Sequence, residues 1–263
     1  MRIHVLPAIA IRRLMRLIFP MPRSPVPRTP EESERLKLVP AKKFTDIVRR
    51  SIKQLRSRSE VELGDYAEFG VYNGNSLIAA YEALKFEGAD NTQLVGFDSF
   101  EGLPREAELE DGGVWREGLF TCRKETAVAN IEGAGVPKER YRLISGWYKE
   151  ILATSPYSVF ENGVSLVMID CDTYSSARLA LNYIGPVLKD CSIIIFDDWR
   201  LNDLDLACMG ELRAFREFLL ENPKFSVHTY ASYSAKSAVF LLRRVRYKSW
   251  LRQFIIRYHF WPL

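Results

Sequence analysis

Short apolar runs alternate along most of this chain with longer stretches whose apolar residues recur at helical spacing. Between residues 41 and 57, Phe44, Ile47, Val48, Ile52 and Leu55 fall at helical spacing, which predicts a helix serving as a lid or flank of the core. DYAEFGV then reads as a strand, NSLIAAYEALKFEG as a helix, QLVGFDSF as a strand, KETAVANIEGAG as a helix and YRLISG as a strand. VSLVMIDCD, ARLALNYIGPVL and SIIIFDD continue as strand, helix and strand, and ELRAFREFLLEN is a further helix. Strands alternating with helices in this way imply an α/β fold, a mostly parallel sheet with helices on both faces. FSVHTYASY and SAVFLLRR are separated by little more than a turn. They predict a C-terminal antiparallel hairpin at the sheet edge.

Prolines mark where this regular pattern begins. Pro20, Pro22, Pro25, Pro27 and Pro30 cannot share a continuous helix, so residues 20–30 read as an extended linker. The chain thus divides into a basic N-terminal segment with its linker (1–30), a body (31–242) and a basic aromatic tail (243–263). At 263 residues it suits one large α/β domain with extensions. With 47% hydrophobic and 27% charged residues, neither a disordered nor a fibrous chain is indicated.

Charge sharpens this division. The two ends hold twelve of the 37 basic residues and none of the 33 acidic ones, so residues 31–242 carry a net charge of −8. The tail intersperses Trp250, Phe254, Ile255, Tyr258, Phe260 and Trp261 with arginines, and IAIRRLMRLIF near the N-terminus is built similarly. Two readings stay open: segments lying on an anionic membrane surface, or solvated helices docked on the body or on a second copy in a homo-oligomer. No apolar run approaches the ~20 residues of a membrane span. Cys122, Cys171, Cys191 and Cys208 lack the spacing of a zinc knuckle and the density of a disulfide scaffold. The expected location is cytoplasmic, with peripheral contact at the inner membrane surface as one reading, and no nucleic-acid partner is expected.

The chemistry-bearing residues fall at predicted strand ends. Glu68-Phe69-Gly70-Val71-Tyr72-Asn73-Gly74 closes the first strand and opens a helix, where glycines let the backbone turn and approach a ligand. The spacing is not the GxGxxG of a dinucleotide site, and it suits S-adenosylmethionine better. An ordinary tight turn is the alternative. Asp98 ends the next strand thirty residues after Glu68, where an acid accepts hydrogen bonds from ribose hydroxyls or caps the following turn. Asp170 and Asp172 follow the fourth strand, and Asp197 and Asp198 follow the fifth. Adjacent parallel strands bring these carboxylates to one crevice, a crowding of like charge that a hard cation such as Mg²⁺ relieves. Helix caps and loop anchors are the structural alternative.

EFGVYNGNS, GFDSFEGLP, ISGWYKEIL, IDCDTYSSARLAL and FDDW, in this order over roughly residues 60–225, resemble the macrocin O-methyltransferase family. The resemblance implies a Rossmann-like class I methyltransferase using S-adenosylmethionine and Mg²⁺ on a hydroxyl of a sugar or glycosylated natural product; the basic ends add a cell-surface glycan or lipid-linked sugar as acceptors. It places Glu68, Gly70 and Gly74 at the methionine part of the cofactor, Val71, Tyr72 and Ser76 also in the cofactor site, and Asp98 and Ser99 at its ribose. Ser145, Gly146 and Trp147 would border the adenine. Asp170, Asp197 and Asp198 would hold the metal, with Asp170 also in contact with the cofactor and acting as proton acceptor. One departure stands out: His4, His228 and His259 are the only histidines. None matches the family's histidine near the substrate, and that segment offers Trp115, Arg116, Glu117 and Arg123 instead. A nicotinamide-dependent oxidoreductase and a non-catalytic interaction protein on the same sheet are the rival functions.

Overall fold

The computed structural model describes Thr29, residues 39–58 and residues 62–245. The basic N-terminal segment and the basic aromatic tail, read as membrane-surface or docked helices, lie almost wholly outside these residues. In chain order the elements are α1 (Ala41–Arg56), β1 (Asp65–Phe69), α2 (Asn75–Phe86), β2 (Leu94–Asp98), α3 (Lys124–Gly133), β3 (Tyr141–Ser145) and α4 (Tyr148–Thr154). Then come β4 (Val164–Ile169), α5 (Tyr174–Ile184), β5 (Leu188–Phe196), α6 (Gly210–Glu221), β6 (Phe225–Ala231) and β7 (Ala238–Arg244).

The seven strands form one sheet in the order β3-β2-β1-β4-β5-β7-β6. Pairing is parallel from β3 through β5, and β7 is antiparallel to both β5 and β6. The expected hairpin is present, but its second strand enters beside β5 and leaves β6, with exposed His228, at the edge. Strands β1 and β4 are buried along their whole length because both faces are covered. On one face Tyr66, Leu94, Leu166, Met168, Ile193 and Ile195 pack against α1, α2 and α3. On the other, Phe69, Phe97, Ile169, Ile194 and Phe196 pack against α4, α5 and α6.

Helix α1 is a flank and not a lid. Phe44, Ile47, Val48, Ile52 and Leu55 are all buried, and full burial of each such side chain contributes roughly 1.5–3 kcal/mol. Helix α5 starts three residues before the predicted ARLAL run because the Thr173 side chain accepts a hydrogen bond from the Ser176 amide at 3.3 Å. It ends ahead of Pro186, as a helix must. Strand β4 stops at Ile169, so Asp170, Cys171 and Asp172 form a loop at the carboxyl edge, where Asp172 takes φ +65.

Candidate active site

The crevice where the strand order reverses, between β1 and β4, opens into a cavity of about 590 Å³. Its floor is set by how closely β1 and β4 approach. Gly70 has φ +94, and a Cβ there would lie 1.9 Å from the Asp170 carbonyl oxygen, so only glycine fits this bend. Of the sequence-predicted residues, Gly70, Tyr72, Asp98, Ser99, Gly146, Trp147, Asp170, Asp197 and Asp198 line the cavity. Glu68, Val71, Gly74, Ser76 and Ser145 are not part of its wall. Val71 packs on Phe100 and Ala127, and Gly74 with φ +88 opens α2.

Glu68 and Ser76 work beneath the glycine turn. The fully buried Glu68 carboxyl accepts a hydrogen bond from the Tyr66 hydroxyl and one of 2.7 Å from Ser76 Oγ. Burial pushes its pKa up from an ordinary 4.5 to about 8, against the opposing pull of these two donors. Below pH 4.5 Glu68 is protonated in both folded and unfolded chains and costs nothing. Between pH 4.5 and 8 the unfolded chain ionises while the folded one holds its proton, so stability falls by about 1.4 kcal/mol per pH unit before levelling off. Glu68→Gln should therefore gain stability relative to the unsubstituted protein between pH 5 and pH 8. Thermal melts of the ligand-free proteins at both pH values measure this, and parallel pH profiles would contradict it.

Asp98 is already engaged as a loop anchor. Its Oδ2 accepts from the Val71 and Tyr72 amides at 2.7 and 2.8 Å, and its Oδ1 from the Phe100 amide at 2.7 Å. Burial raises its pKa, and the three amides work against that rise. Both sequence readings of Asp98 are thus compatible: it caps the following turn, and it also stands in the cavity wall. Ser99 Oγ donates to the Gly102 carbonyl at 3.0 Å.

The acidic residues converge as the parallel strand ends require. Asp170, Asp197 and Asp198 each offer one oxygen, and these lie within 4.8 Å of one another. Asp172 lines the same cavity. Burial and the neighbouring carboxylates of Asp197 and Asp198 push the Asp170 pKa well up, and burial with Asp198 and Asp170 does the same for Asp172. A compact set of hard oxygen donors suits a small divalent cation, so the residues present fit Mg²⁺.

Several partners of this cluster were not legible in the motifs. Lys236 Nζ sits 2.5 Å from Asp197 Oδ2 and 2.7 Å from Asp198 Oδ1. The Tyr233 hydroxyl donates to Asp197 Oδ1, and the Asp198 amide donates to the buried Glu211 at 3.1 Å. Burial opposes the Lys236 charge, but Asp198, Asp197 and Asp170 outweigh it and raise the ammonium pKa. Lys236 could have been found from register: Phe196 pairs with Ala238, so continuing two residues on each strand sets Asp198 opposite Lys236.

Opposite the cluster, residues 103–120 supply much of the remaining wall. Leu103, Ala107, Trp115 and Leu119 form a small apolar core with Leu201 and Leu204. Asp111 accepts from the Tyr174 and Gly210 amides at 2.9 and 2.7 Å, and Glu110 accepts from the Ser175 amide at 2.9 Å. These carboxylates engage the N-termini of α5 and α6, where free amides favour negative charge. Of the four residues standing where the family histidine is missing, Trp115 and Glu117 line the cavity and Arg116 and Arg123 do not. Arg116 instead donates to the Gly113 and Trp115 carbonyls, each at 2.7 Å.

Residues 33–234 match the family described as Macrocin-O-methyltransferase (TylF). The chain belongs to this family. Among similar proteins, an 8-demethyl-8-(2,3-dimethoxy-alpha-L-rhamnosyl)-tetracenomycin-C 4'-O-methyltransferase from Streptomyces olivaceus is 29% identical over 160 residues, 58% of each chain. The mycinamicin III 3''-O-methyltransferase of Micromonospora griseorubida is 25% identical, covering 59% of this chain and 61% of that one. The chain therefore spans less than two thirds of the length of these relatives. Among solved structures, the O-methyltransferase NovP aligns with a TM-score of 0.63 and 19% identity, covering 78% of this chain and 80% of NovP. The calicheamicin methyltransferase CalS11 aligns at 0.57 with 22% identity, covering 89% and 91%. At such identities the likeness to these structures establishes the fold, a class I methyltransferase sheet.

Proposed function

We propose that this protein transfers a methyl group from S-adenosylmethionine to a hydroxyl of a sugar or glycosylated small molecule, with the help of Mg²⁺. The observation that carries this reading is the placement of three converging carboxylates, Asp170, Asp197 and Asp198, in the same cavity as Gly70 and Asp98. An oxidoreductase on this sheet has no use for such a cluster, and an interaction module has no reason to bury one. The relatives named above support the choice of a sugar hydroxyl.

When bound, S-adenosylmethionine supplies an electrophilic methyl group and Mg²⁺ supplies the positive charge that makes a hydroxyl easier to deprotonate. Everything else falls to the chain. The turn at Gly70 lets a ligand approach the backbone, and Asp98 has room for one further donor beyond its three amides. Asp170, Asp197 and Asp198 would hold the metal, and Asp170 would take up the hydroxyl proton. Trp147 and Gly146 close the end of the cavity beyond β3, while Trp115, Glu117 and Phe120 face the acceptor. Holding donor and acceptor in one walled cavity supplies the alignment that in-line transfer demands.

Titration calorimetry with S-adenosylhomocysteine and, separately, with NAD tests the assignment. Micromolar binding of the first and none of the second is expected. The reverse would hand the site to a nicotinamide enzyme, and binding of neither would favour a non-catalytic role.

A further inference from the structure

The acidic cluster has a counter-ion that belongs to the chain. Lys236 Nζ lies within 2.7 Å of both Asp197 and Asp198, and it stands in the cavity wall with 24% of its side chain exposed. Its backbone is fixed: the Arg200 amide donates to the Lys236 carbonyl at 2.8 Å, and Ser237 Oγ accepts from the Tyr233 and Ser234 amides at 3.0 and 2.9 Å. The side chain is a flexible four-carbon stem carrying a compact charge. It has cavity space into which to move.

Two cations cannot use this cluster together. A divalent ion takes carboxylate oxygens at about 2.1 Å, and the donor oxygens of Asp170, Asp197 and Asp198 are all within 4.8 Å of one another. An ammonium hydrogen-bonded to two of those three residues would face the metal across a few ångströms beside the buried Asp197 and Asp198, where like charges repel more strongly than in bulk water. The other Asp197 oxygen receives the Tyr233 hydroxyl, so both oxygens of this residue are engaged.

We infer that Lys236 is the resident counter-ion of the cluster and competes with the divalent cation for Asp197 and Asp198, so that metal entry requires the ammonium to swing into the cavity and Lys236 sets metal affinity. This rests on the proposed assignment of the three aspartates to a metal. It also accounts for how a buried group of acids persists before any metal arrives, since unpaired buried charges are strongly destabilising.

Mn²⁺ serves as the probe, with free ion counted by electron paramagnetic resonance, on the full-length protein and its Lys236→Met and Lys236→Arg variants without cofactor or acceptor. Lys236→Met should bind Mn²⁺ at least about tenfold more tightly than the parent, and Lys236→Arg no more tightly. The metal-free Met variant should melt lower than the parent and gain more from Mn²⁺. Equal or weaker Mn²⁺ binding by Lys236→Met would overturn the competition while leaving the metal site standing. Absence of binding by parent and Met variant alike would overturn both the competition and the metal assignment. Binding by the Met variant alone would support the competition. Circular dichroism checks the fold, and Lys236→Gln carries the same comparison if the Met variant fails to fold.

Discussion

Excess chelator should abolish methyl transfer while leaving S-adenosylmethionine binding largely intact, and Asp197→Asn should lower turnover by about 10²–10³-fold, the scale of removing one charge-stabilising group from a polar active site. The two effects separate because Gly70 and Asp98, the proposed cofactor side of the cavity, are built on β1 and β2, whereas the acids follow β4 and β5. Asparagine keeps the shape of Asp197 and still offers an oxygen to Tyr233, so the fold should survive. Added Mg²⁺ should recover only part of the rate, because one charged ligand is gone. The assay needs an accepted hydroxylated substrate and a readout of S-adenosylhomocysteine. Full turnover in excess chelator would refute the metal, leaving the acids as general bases or structural caps.

Asp98→Ala should weaken S-adenosylmethionine binding by about 1.5–3 kcal/mol, the scale of a lost hydrogen bond to a charged group. The structure adds a second expectation, because the same carboxyl receives the Val71, Tyr72 and Phe100 amides. Losing it strands these donors and loosens the glycine turn, so the ligand-free protein should also melt lower. Asp98→Asn keeps an acceptor for the Val71 and Tyr72 amides and should recover part of the stability. Calorimetry showing unchanged cofactor affinity in Asp98→Ala would remove this residue from the binding site and leave it as a turn anchor.

What could be read from the chain beforehand was whatever depends on local periodicity. The apolar runs of β1, β4 and β5 and the helical spacing in α1 announced themselves, because packing in this fold selects side chains by local position. Strand ends carried the glycines and acids for the same reason. The helix at Tyr148–Thr154 was seen only as part of a motif, since it is short and none of its residues is buried. Lys236, Tyr233 and Glu211 escaped because their role depends on strand order. The Tyr233 ring meets Phe44 of α1 at 5.3 Å and its hydroxyl reaches Asp197 across 36 residues, a relation no local window contains. No periodic element is legible in residues 103–121, and only the structure reveals that they share a small apolar core with Leu201 and Leu204.

That small core bears on how acceptor preference can change. Leu103, Ala107, Trp115 and Leu119 clamp onto Leu201 and Leu204, and Glu110 and Asp111 fasten the segment to two helix ends. Arg105, Glu106 and Glu117 project from this frame at the cavity and take no part in its apolar packing. The segment is therefore built as fasteners, at Glu110, Asp111 and the leucines, that carry a cargo of exposed charged side chains. Under the proposed function, substitutions at these charged positions retune which molecule is accepted without disturbing the strands that bear Asp170, Asp197, Asp198 and the Gly70 turn. Changes in the fasteners would instead cost the whole wall at once.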